Sequence, residues 1–451
     1  MKKYISVIAM MIVAVAATAQ NAAMGYFLDG YLYGHQINPA IGNRQGYVSM
    51  PALGNVNVAQ RGNLSLTDVI YNVNGKTTTF LNPGVSSAEV LGNLKTCART
   101  AVNIREEIIS VGFKGIKGYN TISVNVRGNV NAKLPKEIFR LLKEGASNDT
   151  YDISGVRVQS DAYAEVAINH SHAIGRKVRV GVSLKGLVGV GNVDANLRKA
   201  QLSLGEDTWT ATTDAEIRTN INNFSYTKSR NSRTGHEYVD GADISSFGVA
   251  GYGGAIDLGA VVTLKDFELS ASVLDIGVMS WRDDHVATTD GEQTVITDKY
   301  TFNVDGDAYN NFGDEIDRIG DDVAALYELS DKGNQGGRTM MLSPTVNIGA
   351  KYTLPGYRAL SFGVLNTTHI QSGFSWTEFR ASVNYAPCRF FAMAVGASAG
   401  TNGAGLGWMI NLHPKGFGLF AGMDYSNLRF AKQGVPLSSN TSVNVGINIP
   451  F

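Results

Sequence analysis

Charged side chains recur at alternate positions of segments whose other positions are apolar. The residues that we single out are Arg157, Asp161, Glu165, Arg179, Lys185, Asp257 and Arg380, and Arg127 and Glu268 share the pattern. Alternate side chains of an extended strand point to the same face, so these groups would share one polar face of a sheet. Such charges could line a water-filled path or brace another segment by ion pairing. Ion pairing is the interpretation that we favour.

Two further groups of residues could bind a metal ion. His170 and His172 lie two positions apart and would share one face of a strand, but the sequence suggests no third ligand, so we expect them to be solvated. The acidic stretch that begins at Asp305 resembles a calcium loop. However, Asn310 stands at its sixth position and Ile316 at its twelfth, where an EF-hand has Gly and Glu. We therefore expect no metal site.

The sequence offers no complete catalytic motif. The Gly-x-Ser-x-Gly spacing occurs at 396–400, but at the end of the candidate strand near 389–399 rather than at the strand-to-helix turn of a nucleophile elbow. Gly75-Lys76-Thr77 lacks the glycine that a phosphate loop requires five positions earlier, because Ile70 stands there. A Ser/His/carboxylate arrangement built from distant residues would be needed for an outer-membrane hydrolase, and one sequence neither establishes nor excludes it. We expect a protein that is not an enzyme and that binds no cofactor.

The elements that would position the polar face are strands, because the apolar residues recur with a period of two. Val178, Val180 and Val182, for example, alternate with Arg179, Gly181 and Ser183. The fourteen candidate strands lie near residues 54–71, 101–114, 119–131, 154–172, 177–190, 248–264, 267–281, 340–353, 358–371, 376–386, 389–399, 404–413, 416–426 and 442–451. The phase of the alternation breaks within 102–113, where a β-bulge would explain it.

The connections between these strands fall into two classes. Every second connection is short, at 115–118, 173–176, 265–266, 354–357, 386–388 and 413–415, and most of the others are long. Short periplasmic turns that alternate with longer external loops are typical of an outer-membrane barrel, whereas a secreted β-sandwich has no reason to sort its loops. The sequence therefore predicts an all-β transmembrane antiparallel barrel of about 14 strands, with both termini in the periplasm.

Three features are predicted within the long connections. Residues 193–220 form either another hairpin or extensions of the barrel strands. Short helices are expected at 136–143, after Pro135, and at 314–329, where one face is apolar.

The two ends of the chain indicate export. Lys2 and Lys3 precede a short apolar run, and Ala17-Thr18-Ala19 forms a small-x-small cleavage site before Gln20. Residues 1–19 are therefore predicted to be a signal peptide, and an uncleaved anchor is the alternative. The last segment carries an alternating apolar face, formed by Val443, Val445, Ile447, Ile449 and Phe451. It resembles the final strand of outer-membrane barrels, whose terminal Phe is recognised by the barrel-assembly machinery.

The composition limits the remaining possibilities. The chain has 451 residues, 17% of them charged, and a formal net charge of zero, which argues against a nucleic-acid partner. Cys97 and Cys388 could form one disulfide or remain free thiols. Residues 20–50 precede the first strand and are rich in aromatic and apolar residues. We interpret them as a plug within the barrel of residues 51–451, and a disordered periplasmic tail is the alternative.

Several short motifs carry a resemblance to known families. They are Asn38-Pro39-Ala40, Asp257-Leu258-Gly259-Ala260, the segment 272–277 (Ser-Val-Leu-Asp-Ile-Gly) and the final Phe451. With them the chain resembles a family of uncharacterised outer-membrane barrels of Gram-negative bacteria, a domain of unknown function. It is distantly similar to the FadL-like fatty-acid transporter barrels and to barrels associated with type IX secretion. The resemblance implies fourteen strands and an N-terminal plug, and it transfers no ligand-contacting residue.

Two functional hypotheses follow for a protein of the cell outer membrane. The first is passive transport of small molecules, hydrophobic ones included. The alternative is a structural or partner-binding scaffold, such as a component of a secretion complex. The expected partners are outer-membrane lipid, the barrel-assembly machinery and a small-molecule ligand. An open or gated apolar path would favour transport, and a filled, charge-braced interior would favour the scaffold.

Overall fold

The computed structural model describes residues 22–144, 150–205, 208–231, 234–298, 327–426 and 440–451. The predicted cleavage site at Ala17, Ala19 and Gln20 lies outside the described residues. So do the acidic stretch from Asp305 to 326 and most of the predicted helix at 314–329.

Fourteen antiparallel strands form the main sheet. In chain order they are β1 (Asn55–Gly62), β2 (Cys97–Gly115), β3 (Gly118–Pro135), β4 (Val156–Ile174), β5 (Val178–Leu204), β6 (Gly251–Leu264), β7 (Phe267–Trp281), β8 (Thr345–Thr353), β9 (Leu360–His369), β10 (Trp376–Cys388), β11 (Phe391–Gly400), β12 (Gly403–Leu412), β13 (Gly418–Ser426) and β14 (Thr441–Pro450). Each strand pairs with the next along the chain.

The sheet closes on itself because β14 also pairs with β1, with Val443 opposite Val58 and Val445 opposite Val56. The predicted all-β class, closed barrel and strand number are thus confirmed. Tyr47–Ser49 continues the first strand beyond an irregular stretch and pairs with both β14 and β2. The predicted bulge in the second strand is confirmed as a register shift between Glu107 and Ile109.

The six short connections follow β2, β4, β6, β8, β10 and β12, so they share one end of the barrel, which we call the turn end. The opposite end, the loop end, carries a folded outer region. Strand β5 runs on to Leu204, and Thr208–Ile221 pairs back along it, so the ambiguous segment at 193–220 is both a hairpin and a strand extension. The first predicted strand ends earlier than expected, at Gly62 rather than 71.

Further short elements complete the described outer region. Its other strands are Ile70–Val73, Lys76–Thr79, Thr150–Asp152, Phe224–Arg230, Glu237–Ile244, His285–Thr288, Gln293–Asp298, Ser330–Asn334 and Arg338–Met341. Its helices are α1 (Leu66–Val69), α2 (Ser87–Asn93) and α3 (Lys136–Glu144), and α3 confirms the helix predicted after Pro135. Trp209, Tyr151 and Leu202 are buried in a hydrophobic cluster here, so the outer region has a small core of its own.

The two faces of the barrel wall differ in polarity. Along β14, Val443, Val445 and Ile449 are exposed on the outside, whereas Asn444 and Asn448 are buried on the inside. The same inversion recurs around the wall, where large apolar side chains are exposed outward on most strands. The interior of the barrel is consequently polar, and its groups need hydrogen-bonding partners there.

Candidate functional site

Residues 22–46, the N-terminal segment, lie against the polar inner face of the barrel. The segment contains two short 3-10 turns, Ala23–Gly25 and Gly34–Gln36, and ends where Tyr47–Ser49 joins the sheet. Asn38 and Ala40 are fully buried, and Tyr33 is 1% exposed. A segment without regular structure can be buried only if the barrel satisfies its backbone polar groups.

The barrel wall supplies those hydrogen bonds through neutral side chains. Ser272 Oγ donates to the carbonyl oxygen of Ile37 at 2.6 Å, and Asn347 Nδ2 donates to the same oxygen at 3.2 Å. Asn169 Nδ2 donates to the carbonyl of Pro39 at 3.1 Å, and Ser171 Oγ to that of Ala40 at 2.6 Å. Strands β4, β7 and β8 thus hold the backbone around the Asn38-Pro39-Ala40 motif.

The Asn38 side chain forms several of the hydrogen bonds between the N-terminal segment and the barrel. Its Nδ2 lies 3.1 Å from the Tyr26 hydroxyl and 3.2 Å from the carbonyl oxygen of Ala260, and its Oδ1 accepts from the Ala40 amide at 3.0 Å. The side chain therefore closes a local turn and ties it to β6. The resemblance pointed to this motif, and the structure gives it a physical role.

Two glycines of the wall allow the close approach. A methyl group on Gly181 of β5 would overlap the carbonyl carbon and oxygen of Pro39, and one on Gly259 of β6 would overlap Asn38 Oδ1. Gly186, also on β5, has nothing within 4 Å of the corresponding position. The N-terminal segment therefore depends on missing side chains at two specific positions of the wall.

Aromatic residues hold the other half of the segment. Tyr31 packs edge-on against Phe420 with ring centroids 5.2 Å apart, and Tyr33 contacts Tyr47 and Phe420 at 5.5 Å. Met409 is fully buried in the same cluster. This is the one hydrophobic cluster in the described part of the interior that joins the segment to β11, β12 and β13.

Six charged side chains on the inner face of the barrel form an ion cluster. Its members are Arg105, Arg127, Lys185, Glu165, Asp257 and Asp275. Lys185 Nζ lies 2.7 Å from carboxylate oxygens of both Asp257 and Asp275. Equal numbers of bases and acids make the cluster neutral, as a buried set of charges requires.

Arg127 connects strands that are not neighbours. From β3 it donates two hydrogen bonds to the Asp275 carboxylate of β7, both at 2.9 Å, and a third to Glu165 Oε2 at 3.0 Å. Strands β4, β5 and β6 lie between β3 and β7 in the sheet, so this bidentate pair crosses the interior. It closes the space on one side of the N-terminal segment.

A bulge aims Asp275 into the cluster. The pairing of β6 with β7 shifts between Ile256 and Leu258, and Asp275 takes a left-handed φ of 59°. Its amide donates to Asp257 Oδ1 at 2.7 Å. Without the extra residue the strict alternation of β7 would turn this carboxylate outward.

A second ionic group lies near β1, β10 and β13. Arg61 stacks on the rings of Trp376 and Tyr425, with its guanidinium carbon 4.0 and 4.5 Å from the ring centroids. Arg380 Nη2 donates to Glu378 Oε1 at 2.7 Å, and Arg380 Nη1 donates to the carbonyl oxygen of Asp424 at 2.7 Å. The Asp424 carboxylate accepts from the amide of Met24 at 2.6 Å, which links this group to the N-terminal segment.

The predicted polar-face charges fall into four places. Glu165, Lys185 and Asp257 meet in the ion cluster, and Arg380 belongs to the second group. Arg157 and Asp161 lie nearer the loop end, where Asp161 Oδ1 accepts from Asn129 Nδ2 at 2.7 Å. Arg179 lies at the turn end and donates to the carbonyl of Gly42 at 3.3 Å.

We favoured ion pairs between the wall charges and another segment of the chain. Such pairs do not provide the main attachment of the N-terminal segment. The buried charges pair chiefly with one another, because only partners on the wall are near enough to compensate them. Charged contacts to the segment are few, such as Lys351 Nζ to Asp29 Oδ1 at 3.3 Å and Gln36 Nε2 to Glu107 Oε2 at 2.9 Å. Uncharged groups of the wall, among them the side chains of Asn169, Ser272 and Asn347, form most of its hydrogen bonds.

Sequence reasoning missed Arg105, Asp275 and the Asn and Ser residues that hold the segment. The inward phase of each strand points to Asn169, Ser171, Ser272 and Asn347 in retrospect, because they stand opposite the apolar positions. Asp275 gave a subtler signal, since the outward apolar residues change phase between Val273 and Ile276.

The other candidates show no sign of a reactive site. His170 and His172 lie side by side with ring centroids 5.8 Å apart, and His170 Nδ1 is 2.9 Å from Asn120 Oδ1. Cys97 and Cys388 are free thiols. Over the described ranges, no three His, Cys, Asp or Glu side chains are grouped to hold a metal ion.

A small cavity lies in the middle of the barrel. A cavity of about 80 Å³ lies among the ion cluster, the second ionic group and the N-terminal segment, lined in part by Arg61, Arg127, Asp275 and Glu378. It is wide enough for a few water molecules. No helix in the described residues is long and apolar enough to cross a membrane.

These features define a closed antiparallel β-barrel whose interior is filled by paired charges and by an N-terminal segment. A family profile matches residues 39–424, and the chain belongs to that family, the family of unknown function DUF5723. The predicted membership of an uncharacterised family is thereby confirmed. No curated protein matches the sequence.

The chain is also similar to several solved structures at low sequence identity. A deletion mutant of the TodX monoaromatic hydrocarbon channel is 10% identical, with 96% of this chain and 95% of that chain covered and a TM-score of 0.43. The toluene transporter TbuX of Ralstonia pickettii is 9% identical over 92% of each chain, with a TM-score of 0.42. A FadL homologue of Pseudomonas aeruginosa is 9% identical over 92% and 91%, with a TM-score of 0.35.

Proposed function

We propose that this protein is an outer-membrane β-barrel of a Gram-negative bacterium. The outward apolar face supports the proposal. Ile168, Leu184, Val364 and Phe379 are 55%, 56%, 56% and 65% exposed, on four different strands. A soluble protein rarely exposes apolar patches larger than a few hundred Å², whereas lipid would cover a continuous band. Only helices and closed barrels satisfy their backbone within lipid, and this sheet closes.

The ends of the chain belong to the same proposal. Residues 1–19 would be removed at the Ala17-Thr18-Ala19 site during export, leaving Gln20 first. The exposed apolar face of β14, with Val443, Val445, Ile447, Ile449 and Phe451, would then present the assembly signal. The turn end faces the periplasm, where short turns lie in bacterial barrels, and both termini lie on that side.

Within this barrel the N-terminal segment acts as a plug, and displacement of the plug opens a path for small molecules. Its hydrogen bonds to the wall support this role, because most of them join uncharged groups and water could replace them, whereas most of the buried charges pair within the wall. The polar lining favours water-soluble solutes over hydrophobic ones. We assign no catalytic step to the protein.

A scaffold function is the second candidate, and one observation favours it. The N-terminal segment and the paired charges occupy the middle of the barrel, and the outer region has its own buried cluster around Trp209, Tyr151 and Leu202. A folded surface above a closed barrel suits a partner protein. The two candidates differ in one property: transport requires that the plug is displaced from the barrel, and a scaffold does not.

The experiment compares Gly181→Ala with Gly186→Ala, a matched pair on β5. An added methyl at 181 overlaps Pro39 and should expel the plug, whereas one at 186 meets nothing. We expect low ion conductance in planar bilayers for the wild type and for Gly186→Ala, and clear channel openings for Gly181→Ala. Deletion of 22–45 should conduct at least as well.

Each other outcome identifies what fails. If the wild type and Gly186→Ala already conduct like Gly181→Ala, the segment is not a plug. If the deletion variant assembles as a heat-modifiable barrel and still does not conduct, transport fails and the scaffold function is favoured. If the protein stays soluble without detergent, the membrane assignment fails.

A further inference from the structure

A second, larger cavity opens at the turn end. Its volume is about 850 Å³, and we call it the vestibule. Its floor is the N-terminal segment from Tyr26 to Leu32 and from Ala40 to Gln45, and its walls are the inner faces and turns of the barrel. The volume lies in the range of cavities that hold small-molecule ligands.

The vestibule is strongly basic. Six bases line it, namely Arg44, Arg176, Lys177, Arg179, Lys351 and Arg389, together with His413. The acidic side chains among its lining residues are Asp29 and Glu268, and Asp29 is paired with Lys351. These bases come from four separate parts of the chain, so the excess of positive charge arises from the fold.

Four of the bases lie outside any ion pair of the described residues. Within the described residues, Arg44, Arg176, Lys177 and Arg389 form no ion pair within 4.0 Å, unlike the charges deeper in the barrel. Like charges gathered around one concave space raise the local concentration of anions. An anion bound among these bases would reduce the repulsion between them.

The position of the bases favours a soluble anion over a lipid headgroup as the ligand. Arg179 and Lys351 lie on the inner face of β5 and β8, in phase with the buried Lys185 and Asn347, and Arg44 belongs to the N-terminal segment. Side chains on the inner face point away from the surrounding lipid. An anion that meets all three must enter the mouth of the barrel from the aqueous side.

We propose that the vestibule binds a small, soluble, multivalent anion, a molecule with two or more carboxylate or phosphate groups. Such a ligand bridges Arg44 of the N-terminal segment to the bases of the wall. Its bound state consequently fastens the segment, and the site lies outside the ion cluster.

The test titrates inorganic tripolyphosphate into the purified full-length barrel by calorimetry, in a buffer free of divalent cations. We expect saturable binding that weakens as salt is added. The double variant Arg44→Gln/Arg389→Gln should bind about tenfold more weakly, since each exposed pair contributes modestly. The charge-preserving pair Arg44→Lys/Arg389→Lys should bind within about threefold of the wild type.

The matched control is Lys114→Gln/Lys415→Gln, which removes the same charge from turn-end positions outside the lining of the vestibule. Equal weakening in both Gln pairs would show a diffuse surface effect and overturn the site. Binding of a ten-residue aspartate peptide without binding of tripolyphosphate would overturn the small ligand in favour of a protein partner. Bound tripolyphosphate should also slow proteolysis of the N-terminal segment, and unchanged cleavage would refute the bridging.

Discussion

Replacing Asp275 by Asn tests whether the ion cluster holds the barrel together. Asn keeps the size of the side chain and tolerates the left-handed backbone that Asp275 adopts, so the change removes charge with little added strain. It leaves three bases, Arg105, Arg127 and Lys185, facing two acids.

The expected cost follows from the contacts that remain. Removing one partner of a buried ion pair costs about 3–5 kcal/mol when the other is left uncompensated. Here Arg127 keeps Glu165 at 3.0 Å, and Lys185 keeps Asp257 at 2.7 Å. We therefore expect a loss near the lower limit, about 3 kcal/mol in the free energy of unfolding, which is roughly a hundredfold in the equilibrium constant.

The assay is denaturant-induced unfolding in lipid vesicles, followed by tryptophan fluorescence. The control is Asp214→Asn in the outer region, where Arg198 Nε donates to Asp214 Oδ2 at 2.9 Å and lowers the pKa of that carboxyl. Because the Arg198 side chain is 46% exposed, this pair should contribute at most about 1 kcal/mol.

A clear result would refute the reasoning. If Asp275→Asn is no more destabilising than Asp214→Asn, the cluster contributes nothing to the closed barrel. A double-mutant cycle adds a second check: Arg127→Met should cost less in the Asp275→Asn background than in the wild type, because it then removes an uncompensated charge. Strict additivity of the two changes would contradict the cross-barrel pair.

Three further predictions concern other parts of the chain. Phe451→Ala should lower the amount of assembled, heat-modifiable barrel in outer membranes, whereas Phe417→Ala, also an exposed turn-end aromatic residue, should not. Protein unfolded without reductant should take up two maleimide labels, at Cys97 and Cys388; fewer than two would indicate a disulfide. Ser86→Ala should destabilise α2 by about 1 kcal/mol, because the Ser86 hydroxyl caps the helix by accepting from the Glu89 amide at 3.2 Å; hydrogen exchange across 87–93 measures it, and unchanged exchange would contradict the cap.

The strands and turns could be predicted because they depend on local patterns. The period of two in Val178–Val180–Val182, for example, follows from one side facing lipid or solvent and the other facing the interior. The lengths of the connections then distinguished the turn end of the barrel from the loop end. Strand ends were less certain, since β1 ends at Gly62 although the sequence predicted a strand as far as residue 71.

The partners inside the barrel could not be predicted, because they join residues far apart in the sequence. Glu165 and Lys185 were recognised as facing inward, yet nothing in one sequence indicates that Arg127 reaches Asp275 across three strands. The contact of Pro39 with Gly181 is similar: the motif was noticed, but its site on the wall depends on the curvature of the closed sheet.

The seam of the barrel has a consequence for how the chain reaches its folded state. Gly62 donates its amide to Asn440, 378 positions away, where β1 meets the loop before β14. Closing a chain of that length costs about 5 kcal/mol of entropy. The ring can form only once the last strand has been synthesised. A nascent chain cut short anywhere before β14 leaves two unpaired strand edges, which template aggregation. Premature termination therefore yields an open sheet that aggregates or is degraded rather than a smaller barrel.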